Sequence, residues 1–301
     1  MASPKTLIDF REMFKTEEDC RQALFEHRWP DGFRCPRCGH DQAYAHKKRP
    51  LFQCRACRHQ ASVTAGTIME GTRTDLKKWF LAIYLLASTK KPLSSAELAR
   101  QLGIATVTAW TMRRKIMHAM SRREGELMLV GVVEMDESYV GGARSGIRGR
   151  GAEGKTPVAV MCEQNESGGC SLAHMQVLGD ISGISLGEAA QSSITPGSIV
   201  ATDGLPAYGK LASRGFEHEP LIVGGADASE LLPWVHITIS NFKRWILDVF
   251  HGVSAKHLQS YLDEFCYRLN RRSQRTDLFR RVLNRCVRFT EPVTYAQLIA
   301  G

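Results

Sequence analysis

The 301-residue sequence has no apolar run approaching the roughly 20 residues that are needed to cross a bilayer. Its longer apolar stretches, such as Trp79–Ala87, are far shorter. A secretory signal is also missing, because residues 1–28 mix acids with their apolar positions. There is no internal repeat and no low-complexity tract. These absences predict a cytoplasmic, multidomain protein that has no contact with a membrane.

Acidic residues are scarce in two parts of the chain. Residues 34–123 carry eighteen Lys and Arg against four Asp and Glu, and Arg268–Arg288 carries eight Arg with Asp277 as its single acid. Lys and Arg gain affinity for nucleic acids by releasing counterions from phosphates. The distribution therefore predicts a polyanionic partner, although a solvated basic surface would have the same composition.

Nine cysteines, an odd number, do not favour a disulfide framework in a reduced compartment. Four of them form two Cys-x2-Cys pairs separated by fifteen residues: Cys35, Cys38, Cys54 and Cys57. This spacing predicts one zinc ion held by four thiolates, in a zinc ribbon over residues 33–66. Four thiolates leave no open coordination position, so the zinc is predicted to be structural. The five scattered cysteines are predicted to be core residues.

Helical patterns precede and follow the cysteine pairs. Residues 1–32 predict short amphipathic helices, one of them beginning at Thr16. Residues 72–122 predict a helix-turn-helix, with a capping box at Ser94, a turn at Gly103 and a second helix beginning at Thr106. The predicted DNA contacts are Thr106 and Thr108 to base edges, and Arg113, Arg114 and Lys115 to phosphates. A purely helical spacer remains the alternative.

The pattern changes near residue 128 to short strands that alternate with helices. The predicted strands are Leu129–Met135, Val158–Cys162, Leu172–Val177 and Ile199–Thr202, with a glycine- and arginine-rich loop at Gly141–Lys155. The helical patterns that follow the third and fourth strands are Leu186–Gln191, Ser240–Phe250 and Ser254–Asn270. This order predicts an α/β domain over residues 127–290.

Two of these strands end in aspartate. Asp136, followed by Glu137, ends the first strand, and Asp203 ends the fourth. A carboxylate beside a buried strand is costly unless something pairs with it, and a metal is the usual partner. Two such aspartates on adjacent strands can bind Mg²⁺ together with phosphate oxygens. Each aspartate taken alone is equally consistent with a simple turn.

The segments occur in a recognisable order: Cys-x2-Cys pairs, helix-turn-helix, Met-Asp-Glu-Ser-Tyr-Val-Gly-Gly, Thr-Asp-Gly, Ser-Asn-Phe-Lys-Arg-Trp and Tyr-Leu-Asp-Glu-Phe-x-Tyr-Arg-x-Asn-Arg-Arg. This order resembles the zinc-ribbon-bearing insertion-sequence transposases from about Phe10 to about Phe289. The resemblance implies a ribonuclease-H-like domain with a mixed sheet that cuts and joins DNA. Its three metal-binding side chains would be two aspartates and a third residue, Glu in many relatives and Asn in others.

Carried onto this chain, the resemblance assigns the catalytic aspartates to Asp136 and Asp203. The third position is Asn241, at the head of a helix, with Glu264 as a rival that would otherwise pair only with Arg268. Lys243 would contact a phosphate of the DNA end.

The resemblance also implies catalytic Mg²⁺, double-stranded DNA as element end and target, a homodimer on DNA and a place at the nucleoid. The expected activity is cleavage and strand transfer at terminal inverted repeats. A catalytically inactive DNA-binding regulator and a structure-selective nuclease are the alternatives.

Overall fold

The computed structural model describes residues 3–46, 49–141, 155–221, 231–250, 252–288 and 291–300. The chain divides into an N-terminal unit, Met1–Arg122 with Ser273–Ala300, and a central unit, Arg123–Arg272. Residues 142–154 of the predicted glycine- and arginine-rich loop lie outside the described ranges. Within those ranges, no helix combines the length and apolar character that crossing a membrane requires.

The helices and strands are numbered here in chain order. The α-helices are α1 Leu7–Met13, α2 Glu17–Arg28, α3 Leu76–Ser88, α4 Ser95–Leu102, α5 Thr106–Glu124, α6 Gly183–Ser193, α7 Pro233–Phe250, α8 Ala255–Leu269, α9 Leu278–Arg288 and α10 Tyr295–Ala300. The strands are β1 Ala43–Ala45, β2 Leu51–Cys54, β3 Gln60–Ser62, β4 Val132–Val140, β5 Thr156–Gln164, β6 Cys170–Val177, β7 Ile199–Asp203 and β8 Glu217–Leu221.

Side-chain caps explain where several N-terminal helices begin. Thr16 accepts a hydrogen bond from the amide of Asp19, whose carboxylate accepts one from the amide of Thr16. Ser94 caps α4 by accepting from the amide of Glu97. Helix α4 ends at Gly103, whose φ of 59° is the left-handed conformation that favours glycine. These starts and this turn agree with the local sequence signals, but the capping box predicted at Ser94 is only half formed, because the Glu97 carboxylate bonds Arg100 and Gln101 instead.

An aromatic cluster holds the C-terminal tail in the N-terminal unit. The ring of Phe279 on α9 lies with its centroid 5.7–6.2 Å from those of Phe10, Phe14, Phe80 and Tyr84. The sequence prediction placed the tail to residue 290 in the α/β domain. Helix α9 instead buries its apolar face in the N-terminal unit, and the central unit ends at Arg272.

The central unit is built on a five-stranded mixed sheet in the order β6-β5-β4-β7-β8. Strands β4, β5 and β6 are antiparallel, whereas β7 and β8 run parallel to β4. The mixed sheet predicted from the sequence is confirmed. Strand β8 was missed, because its Glu-His-Glu-Pro-Leu sequence at the sheet edge has no apolar alternation.

Both faces of this sheet are covered. One face packs Val133, Met135 and Val200 against α6. The other packs Val158 and Val160 against residues of α7 and α8. Because neighbouring residues of a strand point to opposite faces, β4 alternates between these two cores. This alternation determines where the acids of β4 point.

A buried ion pair ties the end of α5 to the end of α8. Glu124, which is 2% exposed, accepts hydrogen bonds at 2.7 Å from both Arg271 Nη1 and Asn270 Nδ2. Asn270 also bonds both the amide and the carbonyl of Ala173 on β6. The guanidinium of Arg271 lies 3.8 Å from the ring centroid of Tyr267. Much of the Asn-Arg-Arg motif therefore has a structural role within the central unit.

We expect Arg271→Ala to lower the free energy of unfolding by about 3–5 kcal/mol, because it leaves the Glu124 carboxylate buried without its cation. Urea unfolding followed by circular dichroism measures this loss. Arg275→Ala removes an exposed arginine of the same basic zone and is expected to change stability by no more than about 0.5 kcal/mol. Equal effects of the two variants would show that the buried pair contributes little.

Candidate active site

Asp136 and Asp203 lie side by side on parallel strands. Strands β4 and β7 are paired from Val132↔Ile199 to Met135↔Thr202, and each aspartate comes directly after the last pair. Paired residues of parallel strands face the same side of a sheet, so both aspartates point toward the face covered by α7. The sequence predicted that Asp136 ends its strand. In the structure β4 instead continues to Val140 alongside β5.

Glu137 joins these aspartates from the opposite face. The carboxylates of Asp136, Glu137 and Asp203 offer oxygens that all lie within 4.8 Å of one another. Strand β7 ends at Asp203, which leaves that side of β4 open for Glu137 to reach the cluster. The hydroxyl of Tyr208, a fully buried residue, donates a 2.9 Å hydrogen bond to Glu137 Oε2. Because consecutive strand residues point to opposite faces of a sheet, the sequence pattern alone would place the Glu137 and Asp136 side chains on opposite faces.

Burial and the neighbouring acids raise the cost of ionising Asp136. Burial, reinforced by the charge of Glu137, raises the pKa of Asp136 to about 6. The amide of Glu137 and the side chain of His236 act in the opposite direction. Burial and the neighbouring charge of Glu137 also raise the pKa of Tyr208 above its ordinary value, so its hydroxyl stays a donor. Such a cluster is suited to a divalent cation, whose charge favours the ionised carboxylates.

Helix α7 places a histidine and a lysine near the cluster. His236 Nε2 lies 3.8 Å from Asp136 Oδ2. Lys243 comes seven residues later, about 20° short of two full helical turns, and therefore shares this face. Burial lowers the pKa of Lys243, and the charge of Asp136 partly opposes that shift.

Asn241 and Glu264 are the two candidates for the third metal-binding residue, and neither lies where the sequence predicted. Asn241 is exposed in the middle of α7 rather than at its head, and lies about 140° round the helix from His236. Glu264 is fully buried on α8, where its carboxylate lies 3.4 Å from Arg268 Nη1. Helix α8 packs on β6, two strands away from β4. The structure therefore supports the ion-pair alternative for Glu264, and Glu137 is the third acid of the described cluster.

The four paired cysteines converge in the N-terminal unit. Cys35 Sγ and Cys57 Sγ are 3.6 Å apart, as are Cys38 Sγ and Cys54 Sγ, and all four sulfurs lie within 4.8 Å of one another. A tetrahedron with Zn–S bonds of about 2.3 Å has edges of about 3.8 Å, so the sulfurs fit one zinc ion. The antiparallel strands β1, β2 and β3 form the ribbon beside them.

The two cysteine turns have the same backbone geometry. The amide of Cys35 donates to the carbonyl of His40 at 2.9 Å, and the amide of Cys54 donates to the carbonyl of His59 at 2.9 Å. Gly39 and Arg58 occupy matching positions with φ values of 73° and 59°. Arg58 therefore takes a conformation that suits glycine, which indicates that the turn is held by its surroundings.

The predicted DNA contacts on α5 are only partly accessible. Thr106 is exposed and Thr108 is half-buried. Arg113 and Arg114 are 1% and 5% exposed, and the Arg114 guanidinium lies 5.8 Å from the ring centroid of Trp110. Lys115 donates a 3.0 Å hydrogen bond to the carbonyl of Ile68. The prediction of a phosphate-binding row is thus corrected for Arg113 and Arg114, because they point into the packed side of the helix.

Two family models match this chain. Residues 128–270 match the ISXO2-like transposase domain, and residues 15–60 match the transposase zinc-ribbon domain. A curated relative, an uncharacterised protein in transposable element ISH50 of Halobacterium salinarum, is 27% identical over 276 residues. The match spans 84% of this chain and 90% of that protein.

Solved structures of Mos1 transposase also match, with low scores. The Mos1 paired-end complex with the left transposon end is 15% identical with a TM-score of 0.28, covering 70% of this chain and 80% of that chain. The Mos1 strand transfer complex is 16% identical with a TM-score of 0.24, covering 70% and 79%.

A zinc ribbon, a mixed sheet that gathers three acids, and the matches to both domains together define a transposase. The chain belongs to the insertion-sequence transposases that combine a transposase zinc ribbon with an ISXO2-like transposase domain.

Proposed function

We propose that this transposase binds the terminal inverted repeats of its element, cleaves DNA there and joins the ends to a target. The observation that carries the proposal is the cluster of Asp136, Glu137 and Asp203 within the matched transposase domain. The mixed sheet, with acids on two adjacent central strands, fits the ribonuclease-H-like domain that we infer for the central unit.

The three carboxylates are proposed to hold Mg²⁺. Hard carboxylate oxygens suit this ion, which also accepts water and phosphate oxygens. When bound, Mg²⁺ would activate the attacking water or 3′-hydroxyl and stabilise the leaving oxygen. Tyr208 holds Glu137 in place through its hydroxyl. Asp203 is held by its own turn, since its carboxylate accepts from the amide of Leu205 at 3.1 Å.

The two residues on α7 are proposed to act on the substrate rather than on the metal. Imidazole is a poor ligand for Mg²⁺, so His236 is assigned to exchange a proton with the attacking or leaving oxygen. Lys243 is assigned to a phosphate oxygen of the DNA end, which its cationic group would contact. On this assignment Asn241 and Glu264 do not take part in the chemistry.

DNA binding is proposed for the N-terminal unit. Helices α4 and α5 and the turn at Gly103 fit a helix-turn-helix, with Thr106 and Thr108 at the start of the second helix available to base edges. Of the three predicted phosphate contacts on α5, Lys115 is the one that remains a candidate. A homodimer on DNA is proposed because two element ends must be held together.

The test is a strand-transfer assay on oligonucleotides that carry the DNA flanking the coding region. We expect Mg²⁺-dependent cleavage and joining by the wild type, and neither by Asp136→Asn, which is matched in size. Binding to the repeats without Mg²⁺-dependent cleavage would identify a DNA-binding regulator. Cleavage of branched DNA without preference for the repeats would identify a structure-selective nuclease. Either result contradicts the proposal.

A further inference from the structure

A third carboxylate of β4, Glu134, is fully buried two residues before Asp136. Its Oε2 accepts hydrogen bonds from the amides of Trp234 at 2.8 Å and Val235 at 2.9 Å. Its Oε1 accepts one from Gln164 Nε2 at 2.8 Å. Glu134 was not singled out in the sequence, where it is one acid within an apolar run.

The two amides belong to the first turn of α7. Helix α7 begins at Pro233, which has no N–H, and the next amides have no partner inside the helix. A carboxylate at this place accepts hydrogen bonds from two of these donors. Its negative charge also interacts favourably with the positive end of the helix dipole. The sequence pattern predicted that this helix begins at Ser240, seven residues after its observed start at Pro233. The cap comes from a strand about a hundred residues earlier, so local patterns could not show it.

The same contact determines where His236 lies. Glu134 and Asp136 are two residues apart on β4 and therefore point to the same face of the sheet. Val235 and His236 are consecutive on α7. The hydrogen bonds of Glu134 thus fix the first turn of α7 against β4, and His236 Nε2 is found 3.8 Å from Asp136 Oδ2.

We propose that Glu134 is a positioning residue, whose carboxylate anchors the first turn of α7 and thereby holds His236 beside Asp136. The proposal rests on the proposed function, because it assumes that His236 acts in strand transfer. Glu134 itself does not contact the DNA or the metal. Its contribution to the rate therefore passes through His236.

The anchor is tested first in the metal-free protein. We expect Glu134→Gln, which has the same shape without the charge, to lower the hydrogen-exchange protection of the Trp234 and Val235 amides, because a neutral amide oxygen accepts more weakly than a carboxylate. Glu217→Gln neutralises an exposed acid on the edge strand β8 and is the matched control, with protection unchanged. Should the Gln variant not fold, Glu134→Asp keeps the charge and shortens its reach by one methylene. Unchanged protection in a folded Glu134 variant would overturn the anchor.

A double-mutant cycle tests the link to His236. Misplacing a reacting group by about 1 Å costs on the order of 100-fold, so we expect Glu134→Gln to lower kcat for strand transfer by about 10- to 100-fold. In the His236→Ala background the same change is expected to alter kcat by no more than about twofold. Mn²⁺ affinity, measured by calorimetry, is expected to stay unchanged in both backgrounds.

The outcomes separate this proposal from the proposed function. Equal losses of kcat in both backgrounds would show a general structural role for Glu134 and overturn the positioning proposal. Absence of strand transfer by the wild type would overturn the proposed function. In that case the exchange experiment alone decides whether Glu134 anchors α7.

Discussion

We expect His236→Ala to lower the rate of strand transfer by at least about 100-fold, whereas Asn241→Ala changes it by no more than about twofold. The imidazole of His236 lies beside the acids, and Asn241 lies on an exposed part of α7. A positioned acid or base commonly contributes 10²- to 10⁴-fold. The measurement is single-turnover strand transfer at saturating Mg²⁺.

Mn²⁺ binding distinguishes the roles of these residues. We expect Asp136→Asn to abolish tight Mn²⁺ binding, because it removes a carboxylate ligand. His236→Ala and Asn241→Ala are expected to leave the affinity within about twofold. Loss of Mn²⁺ binding in His236→Ala would show that the histidine is a metal ligand. A large loss of rate in Asn241→Ala would support Asn241 as the third metal-binding residue, as the sequence resemblance implies.

Removing zinc is expected to unfold the ribbon and to abolish binding to the element ends. Its strands contain only three or four residues each, too few to supply a stabilising core by themselves. Structural zinc contributes about 10–16 kcal/mol to folding in small zinc domains. Cys54→Ser removes one buried thiolate and is expected to have the same effect as a chelator. Circular dichroism and a DNA gel-shift assay measure the two losses.

The matched control for zinc removal is His59→Ala, which alters a neighbouring side chain and retains all four thiolates. We expect it to keep both the ribbon and the DNA binding. The acid cluster is in the central unit, so Cys54→Ser is expected to leave Mn²⁺ binding at Asp136 intact. A ribbon that stays folded without zinc, or a loss of Mn²⁺ binding, would contradict this division of roles.

Local signals succeeded where the determining contacts are close in sequence. The Cys-x2-Cys spacing predicted the convergence of four sulfurs, because each pair lies on one tight turn. Thr16 and Ser94 predicted helix starts, because a cap bonds an amide only three residues away. The apolar strands that lead to Asp136 and Asp203 were predicted from local patterns, and the two strands are indeed paired.

Local signals failed where the partner is distant in sequence. The start of α7 depends on Glu134, and the helix face toward Asp136 carries His236, which no local pattern indicated; the role of Asn241 that the resemblance implies stays a prediction. Arg113 and Arg114 belong to a basic segment, yet packing turns them inward. The tail helix was assigned to the wrong unit, because its aromatic partners on α1 and α3 are some two hundred residues away or more.

The sequence by itself determined the class of this protein and the four cysteines that converge, because motif order and cysteine spacing express these directly. The same motif order carries the resemblance that assigns Asp136 and Asp203. Only the tertiary structure decided which side chains lie together with these aspartates in the acid cluster. Glu137 enters it because β7 ends beside β4, and His236 lies next to it because a buried glutamate anchors α7. Both depend on where strands and helices end against one another, which no local pattern encodes.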